Sequence, residues 1–375
     1  MNTETSERAT AAGYESVAQG APQSVASFEE EKPSAVRRAQ NFLHAFPTTI
    51  PFLVLVLGLA LFSFIVGPKF FAPFNFSLIL QQVTIIGVLG IAQTLVILTA
   101  GIDLSVGVIM ILCSVVMGRT AVVYGVPVWI AFPLGFLIGG LCGAANGLIV
   151  TILRLPPFIV TLGTWSIFGA LNTFYSRSET IRQQELEESA SFLEWTGSVL
   201  RPHDIVLDAT GMDVSWLNGS VVTYGSILML LLALGVWYML NRTAFGRHIY
   251  ATGDDPDSAM LAGINTTRTL VAVYALAGVI CAIAAWVLIG RIGGVSPNAG
   301  QTANLDSITA VVIGGTSLFG GRGSIIGTLV GALIVGVFRN GLALSGLDVL
   351  WQEFTVGVLI IVAVTLDQWI RKVSA

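Results

Sequence analysis

One acidic side chain stands inside apolar sequence in the phrase Ala100-Gly-Ile-Asp-Leu-Ser-Val-Gly107. No charge precedes Asp103 back to Lys69, and none follows it until Arg119. An aspartate at bilayer depth costs about 2.5 to 3.5 kcal/mol on insertion scales. The flanking glycines weaken a helix at that point, and a break persists in lipid only where protein or a water-filled cavity satisfies the freed backbone. Two kinds of chemistry fit such a residue. It lines or gates a transport path, or it caps the helix that follows by accepting the Ser105 or Val106 N–H. Asp306 poses the same choice at the start of a later apolar run. There, helix capping competes with contact to a solute or partner at the outer mouth, near Asn298, Gln301 and Asn304.

Other reactive types are poorly placed for catalysis. The three cysteines, Cys113, Cys142 and Cys281, lie in apolar runs without metal-ligand spacing, and an odd number in such positions is no disulfide framework. The three histidines, His44, His203 and His248, are far apart, which argues against a zinc site or a catalytic triad. Basic residues form no patch for nucleic acid. The only lysines are Lys32, Lys69 and Lys372, and none follows a glycine. The chain therefore lacks the Gly-Lys pair of a P-loop. We expect no enzyme activity, cofactor or metal; if ATP drives this protein, a separate subunit binds it.

The elements that must position these residues are set by hydropathy. Mean hydropathy is +0.81, with 54% hydrophobic and 11% charged residues, a composition outside the soluble globular class. Apolar runs near the roughly 20 residues needed to cross a bilayer fall at 48–67, 79–99, 105–124, 128–150, 158–176, 221–240, 269–289, 305–320, 325–342 and 350–370. These predict an all-α polytopic membrane protein of about 10 transmembrane helices, with 41 glycines available for close helix packing. Residues 1–40 read as a disordered cytosolic tail and 41–375 as the transmembrane domain. Lys and Arg placement puts both termini and the 241–268 loop on the cytosolic side and the acidic 177–220 loop outside. A faint repeat, G-x-x-L-x-x-G, relates 101–107 to 315–321 and suggests two related halves with broken helices.

The 241–268 loop carries its own helix signal. Asp255 is placed to N-cap, Pro256 suits the first position, Ser258 to Ala262 continue, and Gly263 stops the helix. Two turns are unstable alone, so this segment needs a surface. The expectation is a docking helix for a cytosolic partner, with a face around Ala259, Leu261 and Gly263 flanked by Arg247 and Asp254.

Five stretches in order resemble one family: 100–107; Pro157-Phe-Ile-Val-Thr-Leu-Gly-Thr164; Thr243-Ala-Phe-Gly-Arg-His-Ile-Tyr-Ala-Thr-Gly253; 305–321; and Asn340-Gly-Leu342. The chain is similar over about 50–370 to the ribose/xylose/fructose-type permeases of bacterial ABC sugar importers. It departs where the family usually reads Glu-Leu-Asp and this chain reads Asn304-Leu305-Asp306, so no role of that glutamate carries over. The resemblance implies a homodimer in the inner membrane, working with cytosolic ATPase subunits and a periplasmic sugar-binding protein. It leans towards fructose among monosaccharides. An uncharged sugar calls for uncharged hydrogen-bonding groups and an aromatic platform. The candidates in the spans are Gln81, Gln82, Gln93, Thr94, Asn146, Thr161, Thr164, Trp165 and Asn172, joined by Asn304 and Asp306. Against each stands the fact that polar residues in transmembrane helices commonly bond a neighbouring helix, at about 0.6 kcal/mol. The rival reading, an ion-coupled secondary sugar transporter, would call for more intramembrane ionisable groups. A membrane-embedded enzyme lacks clustered catalytic candidates.

Overall fold

A computed structural model describes residues 49–371; the expected tail at 1–40 and Lys372 lie outside the described residues. Each of the ten apolar runs holds a helix, that of 305–320 only as far as Ile313. We label α1 (Thr49–Val66), α2 (Pro73–Leu98), α3 (Val106–Val122), α4 (Val128–Leu153) and α5 (Pro157–Ser176). The loop helices α6 (Gln183–Ala190) and α7 (Pro202–Thr210) follow, then α8 (Tyr224–Arg242), α9 (Ala244–Asp254) and α10 (Pro256–Leu261). The chain continues with α11 (Thr266–Ile292), α12 (Ala303–Ile313), α13 (Ile325–Leu344) and α14 (Val349–Arg371). Among the described residues, seven helices are long and apolar enough to cross a membrane, and the apolar parts of α3, α12 and α14 are shorter.

Burial sorts the helices into inner and outer. On α3 every residue from Val106 to Ala121 is buried, and α2 is buried from Val83 onward. Both pack with α11 at the centre. On α1, by contrast, Phe52, Leu53 and Phe64 are exposed, as are Leu230, Leu231 and Leu234 on α8; these surfaces suit lipid. The tightest crossing is α4 on α11. A Cβ at Gly143 would overlap the Tyr274 carbonyl, one at Gly278 the Gly139 carbonyl, and one at Gly147 would press on Val271. Glycines four residues apart thus bring two backbones into contact, the small-residue packing expected in lipid.

The 177–220 connection is more ordered than a polar loop. A 3-10 turn at Ser191–Gly197 tucks against α11: Thr196 Oγ1 donates to Trp286 O at 2.9 Å, and Trp286 Nε1 donates to Phe192 O at 3.3 Å. Trp195 stacks on Tyr224 at 4.7 Å between ring centroids, and Leu186 and Leu193 are fully buried. The one regular sheet among the described residues is the short antiparallel pairing of Val199–Leu200 with Val222–Thr223. Arg119, 4% exposed, closes this end of the bundle by donating to Ser176 O at 2.8 Å and to Glu179 Oε2 at 2.7 Å.

Candidate functional site

Helix α2 ends at Leu98, and Ala100 takes a left-handed φ of 60°, unfavourable for a residue with a Cβ. The chain then doubles back along α2 before starting α3. Asp103 consequently lies beside Gln93, which is five residues, or about 8 Å, inside the end of α2. In the amide orientation that satisfies both of its polar atoms, Gln93 donates to Asp103 O at 3.0 Å and accepts the Asp103 N–H at 3.2 Å. A side chain from an intact helix thus replaces the backbone bonds that the interruption loses.

The Asp103 carboxylate, 1% exposed, accepts the Ser105 N–H at 2.7 Å and the Ser105 hydroxyl at 2.6 Å through one oxygen. Asp103 accepts the Ser105 N–H as expected, but it is not the N-cap: that residue is Ser105, which makes no side-chain capping bond, and Asp103 fixes the turn that precedes it. Asn146 Nδ2 donates to Ser105 Oγ at 2.8 Å. Thr161 Oγ1 donates to Ile102 O at 3.0 Å and lies 3.2 Å from the Leu104 N–H that it accepts. Thr164 is buried one turn further along α5, bonded to Thr161 O at 3.3 Å. Four of the sequence candidates, Gln93, Asp103, Asn146 and Thr161, thus converge on one turn, with Thr164 bonded behind Thr161. Trp165 does not join them: it is 47% exposed on the outer side of α5.

Asn304, expected beside Asp306, reaches this turn as well. Its Nδ2 donates to Leu104 O at 3.2 Å, and its backbone N lies 3.2 Å from where a Cβ of Gly107 would be. The stretch 293–302 leaves the end of α11 and packs on the bundle through Val295 and Pro297, with Asn298, Gln301 and Thr302 exposed; Asn172 Nδ2 donates to Pro297 O at 3.0 Å. Helix α12 starts beside α3, with Thr302 exposed and Ala303 buried, and its 11 residues reach only about 16 Å. The N-termini of two short helices, α3 and α12, meet at this point.

Asp306 is not a cap. The N-cap Thr302 makes no side-chain capping bond, and the Asp306 carboxylate accepts from Arg339 Nη2 at 2.7 Å. The same nitrogen lies 3.1 Å from Glu353 Oε1, so one guanidinium ties α12, α13 and α14 together. Arg339 escaped the sequence reading; an arginine inside the apolar run 325–342 is the signal that points to it.

The second interruption, 314–324, joins α12 to α13 and lies against the first. Gly321 N donates to Leu98 O at 3.0 Å. Helix α9 is wedged at the same place: Tyr250 Oη donates to Gly323 O at 3.0 Å, and a Cβ at Gly253 would overlap Leu98 O. The amphipathic α9, which the sequence reading passed over, buries Gly246, Ile249, Thr252 and Gly253. Helix α10 matches its expected start, with Asp255 accepting from the Asp257 and Ser258 N–H groups, and Gly263 closes it at φ +86°. The expected docking face is divided, however. Ala259 is 4% exposed against the bundle, whereas Leu261 is 90% exposed. Two residues apart on a helix they point in nearly opposite directions. The outward set is Arg247, Asp254, Leu261 and Gly263.

Interrupted helices held by polar side chains at bilayer depth, inside an all-α bundle, define a membrane transport protein. The family model described as branched-chain amino acid transport system / permease component matches residues 75–364, and the chain belongs to that permease family. It is 53% identical to a fructose import permease protein of Rhizobium meliloti, covering 96% of both chains. It is 38% identical to a ribose import permease protein of Bacillus subtilis (strain 168), over 87% of this chain and 93% of that one. It is also 33% identical to a xylose transport system permease protein of Escherichia coli (strain K12), over 80% and 86%. No solved structure matches the chain.

Proposed function

We propose that this chain is the membrane permease of an ATP-driven importer of a monosaccharide of the fructose, ribose and xylose class. It works as a homodimer in the bacterial inner membrane with two cytosolic ATPase subunits and a periplasmic sugar-binding protein. The sugar specificity is proposed from the named relatives, whose three substrates are all monosaccharides. Both termini and the α9–α10 loop face the cytosol, and the 177–220 segment faces outward.

The observation that carries the reading is the junction of α9 with both helix interruptions. In this proposal an ATPase docks on the outward set Arg247, Asp254, Leu261 and Gly263. Its movement reaches Leu98 and Gly321 through Gly253 and Tyr250, and from there the turn at Asp103, Gln93, Asn146 and Asn304. Substrate passage follows as those short helices shift, because each nucleotide state favours one facing conformation. Asp103 acts as a hinge anchor of the gate, with no direct bond to sugar.

Uptake of labelled hexoses and pentoses into cells lacking the native gene tests this. Uptake is expected to need the ATPase and binding-protein subunits, to stop on ATP depletion and to survive a protonophore. Uptake that survives ATP depletion and collapses with the protonophore would overturn the proposal.

A further inference from the structure

A cavity of about 480 Å³ opens between α2, α11, α12, α13 and α14, near the end of the bundle that carries the 177–220 segment. Small-molecule sites commonly occupy about 300 to 1,000 Å³. Its polar walls are Gln82, Arg291, Thr302, Asp306, Arg339 and Gln352, with Ile85 and Ile86 among the apolar ones. Asp306 and Arg339 form the ion pair described above, and Glu353 balances Arg339 from α14. Arg339 Nε is buried without a partner, a costly state for a donor of that kind. Among the described residues, neither Gln82 nor Arg291 makes a side-chain hydrogen bond or ion pair, and both line this space.

The charges decide what fits. The wall carries Arg291, Arg339 and Asp306, and Glu353, which pairs with Arg339 from outside the lining, brings the cluster as a whole to neutrality, so little net charge is left to attract an anion or a cation. What remains is a surplus of unpaired planar donors with an amide acceptor, the inventory that suits adjacent hydroxyl groups of an uncharged polyol. An amino acid would need a localised counter-charge for each of its two ionic groups, and Arg339 with Asp306 already satisfy each other. We infer that this cavity is an outward-facing subsite for a monosaccharide, occupied after release from the binding protein and before passage through the gate. Gln82 and Arg291 hold the sugar hydroxyls there. The inference rests on the sugar-permease reading and adds to it a place and residues that are separate from the Asp103 turn.

The three native cysteines are buried, so a single introduced thiol can be read cleanly in the complete importer. In cells expressing Gln82→Cys, a membrane-impermeant thiol reagent is expected to modify the permease and lower maximal uptake at least tenfold, while leaving the unsubstituted protein unaffected. Saturating sugar with the binding protein should slow the modification. Arg291→Gln should lower maximal uptake and leave KM, which the binding protein sets, within twofold. If Gln82→Cys does not accumulate in the membrane, Gln352→Cys on the facing wall gives the same readout. A Cys variant that is not modified, or is modified without change in uptake, overturns the subsite provided that unsubstituted importer transports sugar. Absence of monosaccharide uptake by the unsubstituted importer overturns the sugar reading instead.

Discussion

At the scale of single residues, Asp103 acts through a turn, and that determines which substitutions it tolerates. Asparagine retains an oxygen that can accept from Ser105, whereas leucine leaves the Ser105 N–H and hydroxyl without an acceptor in a buried place. Hydrogen bonds to charged groups are worth about 1.5 to 3 kcal/mol each. We expect Asp103→Leu to insert normally and lose uptake, and Asp103→Asn to keep uptake within about threefold, a modest loss on that scale. Labelled-sugar uptake normalised to membrane protein checks both, and a dead Asp103→Asn would mean that the charge itself matters. The presence of a buried acid at a helix interruption was legible from one charged residue in apolar sequence. Its partners were legible only as types: Gln93, Asn146 and Thr161 were candidates, but nothing in their spacing said that they meet at one turn. Asp306 shows the opposite failure. Capping is a local rule, and here a residue 33 positions away, Arg339, took the carboxylate.

At the scale of elements, the close crossings make small residues obligatory where two backbones touch. Gly143→Val would force α4 away from the Tyr274 carbonyl; overpacking of this kind costs about 1 to 3 kcal/mol. The expected outcome is a lower melting temperature in detergent, whereas the same change at Gly235, which has open space around it, should be nearly neutral. The α9–α10 pair gives a functional counterpart. Gly263 sits at φ +86° with nothing nearby, so Gly263→Arg strains the turn and places a bulky cation on the proposed docking surface. In reconstituted vesicles it should leave ATP hydrolysis running while uptake falls, and unchanged coupling would rule out that surface. Helix α10 was legible because Asp255, Pro256 and Gly263 are local stop and start signals. Helix α9 was missed although Ile249 and Gly253 repeat on one face, because glycine and threonine contribute little to an apolar stripe.

At the scale of the whole molecule, the segment 177–223, outward in the proposed topology, is the part whose behaviour should follow external pH. His203 is bonded to Asp213 at 3.0 Å and to Asp204 at 3.2 Å, and the carboxylates, Asp213 first, raise its pKa above the ordinary 6.5. A raised folded-state pKa means that the protonated form stabilises the fold. That contribution is complete below pH 6.5 and is lost as pH rises through the folded value. Limited proteolysis of the segment in right-side-out vesicles should therefore quicken from pH 6 to pH 8 in the native protein, and His203→Gln should flatten the profile. The sequence by itself determined the class of molecule: ten apolar helices, their approximate limits and the interruption at Asp103. Hydropathy over some 20 residues is a local quantity, and a bilayer reads it directly. Only the tertiary structure decided that the interruption at 99–105, the one at 314–324 and helix α9 share one junction. The same holds for Asn304, which reaches Leu104, and for Arg339, which claims Asp306. Those contacts join residues as far apart as Leu98 and Gly321, and their partners are chosen by how the helices stack, a choice that no local pattern of residues encodes.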